Sequence, residues 1–261
     1  MVPLMRFSDW LCHDRSNNIK IFDAPTGRFN LMTNIKHARG KYIAICEGDD
    51  FWNDDQKLQK QFDFLESNED FAIAFHDAVF VDQNNDVSRL MLGEANHGHR
   101  AQEHVVRGAP MPTASVMLHR SHLAQLPPCF PTAFNADTFL FVFCGQFGKA
   151  GYVDVEPSGY RIHSGGAWSG QKQLFKLQCN LHTFQTLSGV IKPDLRPQVQ
   201  YQTHLIHKRM FGALLRQRQL KPLLSHLKSW ISDAFNFGVG RTVLFEARWL
   251  ASSVARFLKL R

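Results

Sequence analysis

Up to about residue 170 the chain alternates short apolar runs with polar, turn-rich segments, and then its texture changes. A helical hint lies in "MRFSDWLCH" near the start. Asn18–Ala24 ("NIKIFDA") reads as a short strand closed by the turn signal Pro25-Thr26-Gly27. Phe29–Arg39 reads as a helix, with Gly40 just past its end. "KYIAIC" has the β-branched and aromatic content of a central strand. Over Asp54–Asn68 the spacing of Leu58, Phe62 and Leu65 predicts a helix with those residues facing inward. Phe71–Asp82 reads as one or two strands, and "NNDVSRLMLGEANHGHRA" as a polar loop. Thr113–Arg120 reads as a strand, followed by a short helix and the breaker Pro127-Pro128. Ala136–Gly148 reads as a buried helix, "AGYVDVE" as a strand and "GYRIHSGGAWSG" as a glycine-rich loop. From Gln171 onward only helical patterns remain, over 171–191, 197–219, 221–235 and 241–261. Alternating strands and helices predict an α/β layered domain over 1–170, and the tail predicts a helical C-terminal extension over 171–261.

Composition narrows the partners. At 44% hydrophobic, the 261 residues suffice for a buried core. A net charge of +7 favours an anionic partner: nucleic acid, a membrane surface or a phosphorylated ligand. Nucleic acid is set aside, because no zinc spacing, RNP-like strand or compact Lys/Arg run is present. Cys12, Cys46, Cys129, Cys144 and Cys179 are scattered and include no CxxC pair, which suits buried thiols in a reducing cytoplasm. Met1–Cys12 lacks the pattern of a signal peptide, and no apolar run reaches the length of a spanning helix. Gly240–Arg261 interleaves Leu244, Trp249, Val254, Phe257 and Leu258 with Arg241, Arg248, Arg256, Lys259 and Arg261. Such a basic amphipathic helix suits either peripheral contact with an anionic membrane or packing on the catalytic domain or another subunit.

The candidate chemistry sits in "CEGDDFWNDD", where an apolar strand runs into Glu47, Asp49 and Asp50. Carboxylates gathered at a strand end suit a divalent cation such as Mg²⁺ or Mn²⁺, which in turn grips a diphosphate. The alternative is a solvated turn or a helix start, which Asp54 and Asp55 suit better than the first three acids.

"ARGKYIAICEGDDFWNDDQKLQKQFDFLESNEDFAIAFHDAVFVD" resembles the central segment of family 2 glycosyltransferases, which have the GT-A fold. The likeness runs from about Asn30 to Ser169 and includes two further pieces in the family's order, "FNADTFLFVFCGQFGKAGYVD" and "GYRIHSGGAWSG". It implies a GT-A-like mixed sheet flanked by helices. It also implies metal-assisted transfer of a sugar from a nucleotide-sugar donor to the hydroxyl of a glycan or lipid-linked acceptor, with inversion. The setting implied is cytoplasmic polysaccharide or glycolipid assembly, at the inner face of the membrane if the tail binds lipid. On this resemblance Asp137 matches the catalytic base, although Ala136 stands where the family has Gly or Glu. Asp50, Asp49 and His163 match metal ligands; Asp49, Glu47 and Arg161 match donor contacts. Trp52 and Trp168 are candidates to stack on a sugar. Plain structural roles remain open for each: a helix cap for Asp137, a loop bond for His163, an ion pair for Arg161 and packing for the tryptophans. The family's opening strands have no counterpart, and Leu31 and Met32 stand where an Arg-Asn pair is usual. The expectation is therefore an N-terminally incomplete domain, with three accounts open: part of a longer enzyme, a degenerate glycosyltransferase that binds without turnover, or a chain completed by a partner as a homo- or hetero-oligomer. The competing function is a non-catalytic nucleotide- or glycan-binding subunit.

Overall fold

The computed structural model describes residues 26–163, 168 and 170–236. The strand expected at 18–24, the helical hint before it, the stretches 164–167 and 169 of the glycine-rich loop, and the basic tail over 240–261 lie outside the described residues. The chain divides into two compact units: one takes in the residues up to Thr132 with Ala136–Gly170, and the other takes in Ala133–Asn135 with Gln171–Arg261.

The first unit is α/β. Its helices are α1 (Thr26–His37), α2 (Lys57–Ser67), α3 (Gln102–Val106), α4 (Arg120–Leu123) and α5 (Ala136–Gly145). Its strands are β1 (Tyr42–Ala44), β2 (Phe71–Phe75), β3 (Ala78–Val81), β4 (Val87–Leu90), β5 (Met117–His119), β6 (Lys149–Tyr152) and β7 (Ser158–Arg161). Two mixed sheets result, in the orders β1-β5-β2-β6 and β4-β3-β7. Both contain one parallel pair, β2 with β6 and β3 with β7; the remaining pairs are antiparallel. β1 thus lies at the end of the described sheet rather than at its centre. It is registered on β5 through Tyr42–His119, Ile43–Leu118 and Ala44–Met117.

The run Phe71–Asp82 divides into two strands because of Asp77. Its buried carboxylate accepts the N–H groups of Ala78, Leu92 and Gly93 at 2.7, 2.9 and 3.2 Å, and lies 2.8 Å from His97 Nε2. A carboxylate serving three amides clamps the chain at one point, and β2 and β3 leave it for different sheets. The same clamp holds the end of β4, a strand inside the segment expected to be a polar loop.

Helix α2 buries a face offset from the expected one. Leu65 is buried and Leu58 is half-buried, but Phe62 is 40% exposed. Lys57 and Gln61 turn inward instead. Lys57 Nζ donates to Gln61 Oε1 at 2.7 Å, Gln61 Nε2 donates to the Ser115 carbonyl at 2.8 Å, and the ammonium lies 4.2 Å from the Trp52 ring centre. Their polar atoms are satisfied, so burial is tolerable. α5 is apolar around its whole girth and is buried from Phe139 to Gly145, as such a helix must be.

The second unit is helical: α6 (Gln173–Ser188), α7 (Arg196–Arg216) and α8 (Leu220–Asn236). Pro197 at the start of α7 uses a position where no amide donor is needed. Phe211, Leu214, Leu223 and Trp230 form one of its buried apolar clusters. Among the described residues, no helix is long and apolar enough to cross a membrane.

Candidate active site at the acidic turn

The acidic turn follows β1 directly. Asp50 N–H closes it on the Glu47 carbonyl at 3.1 Å. Phe51 then pairs with Gly159 of β7 in both directions, at 3.2 and 2.9 Å. Glycine is required there: a Cβ on Gly159 would sit 2.2 Å from Cζ of the Phe51 ring. This close approach sets the turn against the end of β7. Arg161 N–H donates to Asp50 Oδ1 at 3.0 Å, and Arg161 Nε donates to the Asp49 carbonyl at 3.1 Å. The other end of the guanidinium reaches the Asp82 carbonyl at 3.1 Å and Asn85 Oδ1 at 2.9 Å. Arg161 therefore braces the turn from within. His163 Nε2 lies 3.0 Å from Asp49 Oδ2.

Asp137, in the first turn of α5, faces the same acids. Its Oδ1 accepts Thr138 N–H at 2.6 Å, and the Thr113 hydroxyl donates to its Oδ2 at 3.4 Å. Burial raises the Asp137 pKa despite those bonds. Glu47 is pushed up to about 8 by surrounding protein and by the charges of Asp137, Asp50 and Asp49. Glu47 is solvent-exposed as a residue, so water tempers the first cause, and the neighbouring carboxylates hold the direction of the shift. Asp50 is pushed up to about 6, chiefly by burial and then, against the pull of the Arg161 amide, by Asp49. The Tyr160 phenol is pushed up to about 12 by burial and the same four acids. The fold thus gathers Glu47, Asp49, Asp50 and Asp137 into one negative field, with His163 at its rim.

Asp50 Oδ2 is buried without a hydrogen-bond partner. An orphaned carboxylate oxygen in a negative field fits a cation. Among the described residues, no group of three or more His, Cys, Asp or Glu is arranged to hold a metal by itself. Mg²⁺ commonly keeps its waters and takes one or two carboxylates together with substrate phosphates. The residues present fit that sharing and do not form a protein-only cage.

The tryptophans differ. The Trp52 indole N–H donates to the Ala114 carbonyl at 2.7 Å and Lys57 covers one of its faces, so packing occupies much of the ring. Trp168 is exposed, between residues outside the described set. Asp54 accepts Gln56 N–H at 2.8 Å and an ion pair from Lys60 at 3.0 Å just before α2 starts, which is the helix-start role open to it from the sequence. Sequence reasoning missed Thr113, Tyr160 and the Phe51–Gly159 pairing. Thr113 lay in a segment expected to be strand but forms a tight turn, Thr113–Ser115, before β5.

Comparison with known proteins agrees with the resemblance. Residues 17–120 match the sequence model of Glycosyl transferase family 2. An uncharacterized protein of Mycobacterium tuberculosis is 43% identical over 47 residues, 18% of this chain and 14% of its own length. An uncharacterized glycosyltransferase of Methanocaldococcus jannaschii is 42% identical over 58 residues, 22% of this chain and 19% of its own. The chain therefore spans under a fifth of the length of these relatives. The family match includes the acidic turn and ends before Asp137 and His163. Residues 17–120, with Glu47, Asp49 and Asp50 among them, are the part of the chain that is similar to glycosyl transferase family 2.

Proposed function

We propose that the chain transfers a sugar from a nucleotide-sugar donor to an acceptor hydroxyl, with inversion and with the help of Mg²⁺ or Mn²⁺. The observation that carries this reading is the orphaned oxygen of Asp50 in a field of raised carboxyls that includes the half-buried Asp137. Asp50 and Asp49 would hold the cation, which would neutralise the diphosphate of the donor. Asp137 takes the acceptor's proton as the acceptor oxygen bonds to the anomeric carbon and the bond to the diphosphate breaks on the opposite face. A carboxylate whose basicity is raised by burial suits that task, and Thr113 orients it. His163 holds the Asp49 carboxylate, and Arg161 keeps the turn in place. The acceptor is a glycan or lipid-linked glycan at the cytoplasmic face of a membrane, in polysaccharide or glycolipid assembly. The α/β unit and the helical unit act as catalytic domain and extension.

A non-catalytic subunit that binds nucleotide or glycan is the competing reading. The inward commitment of Arg161 favours it, since that guanidinium is already used by the chain. Calorimetric titration with UDP, GDP and dTDP, with and without Mn²⁺, tests the first reading. Metal-dependent binding that is lost in Asp50→Ala is expected, and a folded protein that binds none of the three contradicts it. Turnover that survives Asp137→Asn excludes the base assignment.

A further inference from the structure

The charge of this protein is segregated along the chain. Residues 1–170 carry 15 Lys/Arg and 20 Asp/Glu, a net of −5. Residues 171–261 carry 15 and 3, a net of +12. In the described helical unit the acids are Asp194 and Asp233. Asp233 is already engaged, accepting from Gln185 Nε2 at 2.6 Å and lying 2.8 Å from His207 Nε2. The basic excess of this unit is therefore far larger than its own acids neutralise.

Part of that excess lines a cavity. Gln173 of α6 and Leu205, Lys208, Arg209, Gly212 and Arg216 of α7 line an open concavity of about 340 Å³, in which Arg209 and Arg216 are exposed. The α7 positions recur at three- and four-residue spacing and share one stripe of the helix. Ile206, Met210 and Leu214 of α7 are buried, on a stripe beside this one. At Gly212 a Cβ would lie 3.6 Å from Arg216 Nη1, so this guanidinium extends back along the helix over a position with no side chain. The volume is at the small end of the range for small-molecule sites. The guanidinium groups of Arg209 and Arg216 on one concavity repel each other, and an anion between them relieves the repulsion. Guanidinium groups favour phosphate over other anions because their paired donors match two of its oxygens.

We propose that this cavity binds a phosphate group, with Arg209 and Arg216 as its cationic partners and Gln173 as a neutral donor. The phosphate is carried either by a soluble ligand or by a lipid headgroup. The proposal stands independently of glycosyl transfer.

The test uses the full chain in EDTA, so that no divalent cation can bring phosphate to the acidic turn. Inorganic pyrophosphate is titrated by calorimetry, and phosphatidylcholine vesicles with and without phosphatidylglycerol are used in co-sedimentation. Arg209→Gln/Arg216→Gln is compared with Lys221→Gln/Lys228→Gln, which removes the same charge from exposed positions of α8. Circular dichroism checks that both are folded. The expected result is a loss of affinity of at least tenfold in the first variant and under threefold in the second. Such a loss for pyrophosphate identifies a soluble phosphate ligand; a loss seen only with phosphatidylglycerol vesicles identifies a lipid-borne one. Equal weakening in the two variants would overturn the proposal in favour of diffuse charge. So would the absence of binding to either probe by the unsubstituted protein.

Discussion

Lys57 offers the sharpest test of the fold, because it is 1% exposed and has no carboxylate partner among its described bonds. Burial lowers its pKa from 10.5 to about 7. At about 1.4 kcal/mol per pKa unit, that drop means a cost of roughly 5 kcal/mol for keeping the ammonium charged in the fold. The Trp52 face returns about 2 kcal/mol of this as a desolvated cation–π contact. The folded pKa lies below the unfolded one, so between pH 7 and 10.5 the unfolded chain holds a proton that the folded chain has released. Stability from this residue therefore rises with pH across that window, by about 1.4 kcal/mol per unit. Lys57→Met removes the titration. It also leaves Gln61 Oε1 without its donor, a cost that does not vary with pH. Urea unfolding of wild type and variant at pH 7, 8 and 9 measures the difference. The stability of wild type relative to the variant should climb by about 2 kcal/mol over those two units, less than the full slope because at pH 7 half the folded chains still hold the proton. Parallel curves, differing by a constant, would refute the reasoning and mean that Lys57 stays charged against Trp52.

Asp137→Asn should lower turnover by roughly 10²- to 10⁴-fold with donor affinity nearly unchanged; equal losses in kcat and donor binding would remove it as the base. Asp50→Asn fills the orphaned position with a neutral amide, and should weaken Mn²⁺-dependent nucleotide diphosphate binding by about tenfold or more. Unaltered metal dependence in a calorimetric titration would place the cation elsewhere. Gly159→Ala forces a methyl group into the Phe51 ring, and should destabilise the fold by about 1–3 kcal/mol in thermal melts. An unchanged melting temperature would show that Phe51 leaves β7 freely.

The apolar periodicity of Ala136–Gly148 and of the segments after Gln171 led directly to α5 and to α6, α7 and α8, because a stripe or a fully apolar girth is a local property. The acidic turn was equally legible: a β-branched run ending in Glu47, Asp49 and Asp50 needs no distant partner to be noticed. Other features were left open or misplaced where a polar side chain chose a distant partner. Asp77 divides one apolar run between two sheets by taking amides from Leu92 and Gly93. Lys57 and Gln61 displace Phe62 from the buried face of α2 because Trp52 and the Ser115 carbonyl receive them.

By itself, then, the sequence determined the α/β class, the main helices and the family likeness of the segment that holds the acidic turn. Periodicity, turn residues and a contiguous motif are all written in neighbouring positions. Tertiary structure alone decided that Asp137 shares the field of Glu47, that Arg161 braces the turn from within, and that Asp50 keeps one buried oxygen unpaired. Each of these depends on which atoms come within a few ångströms once the sheets form. Desolvation and like-charge repulsion act through that distance and not through position along the chain.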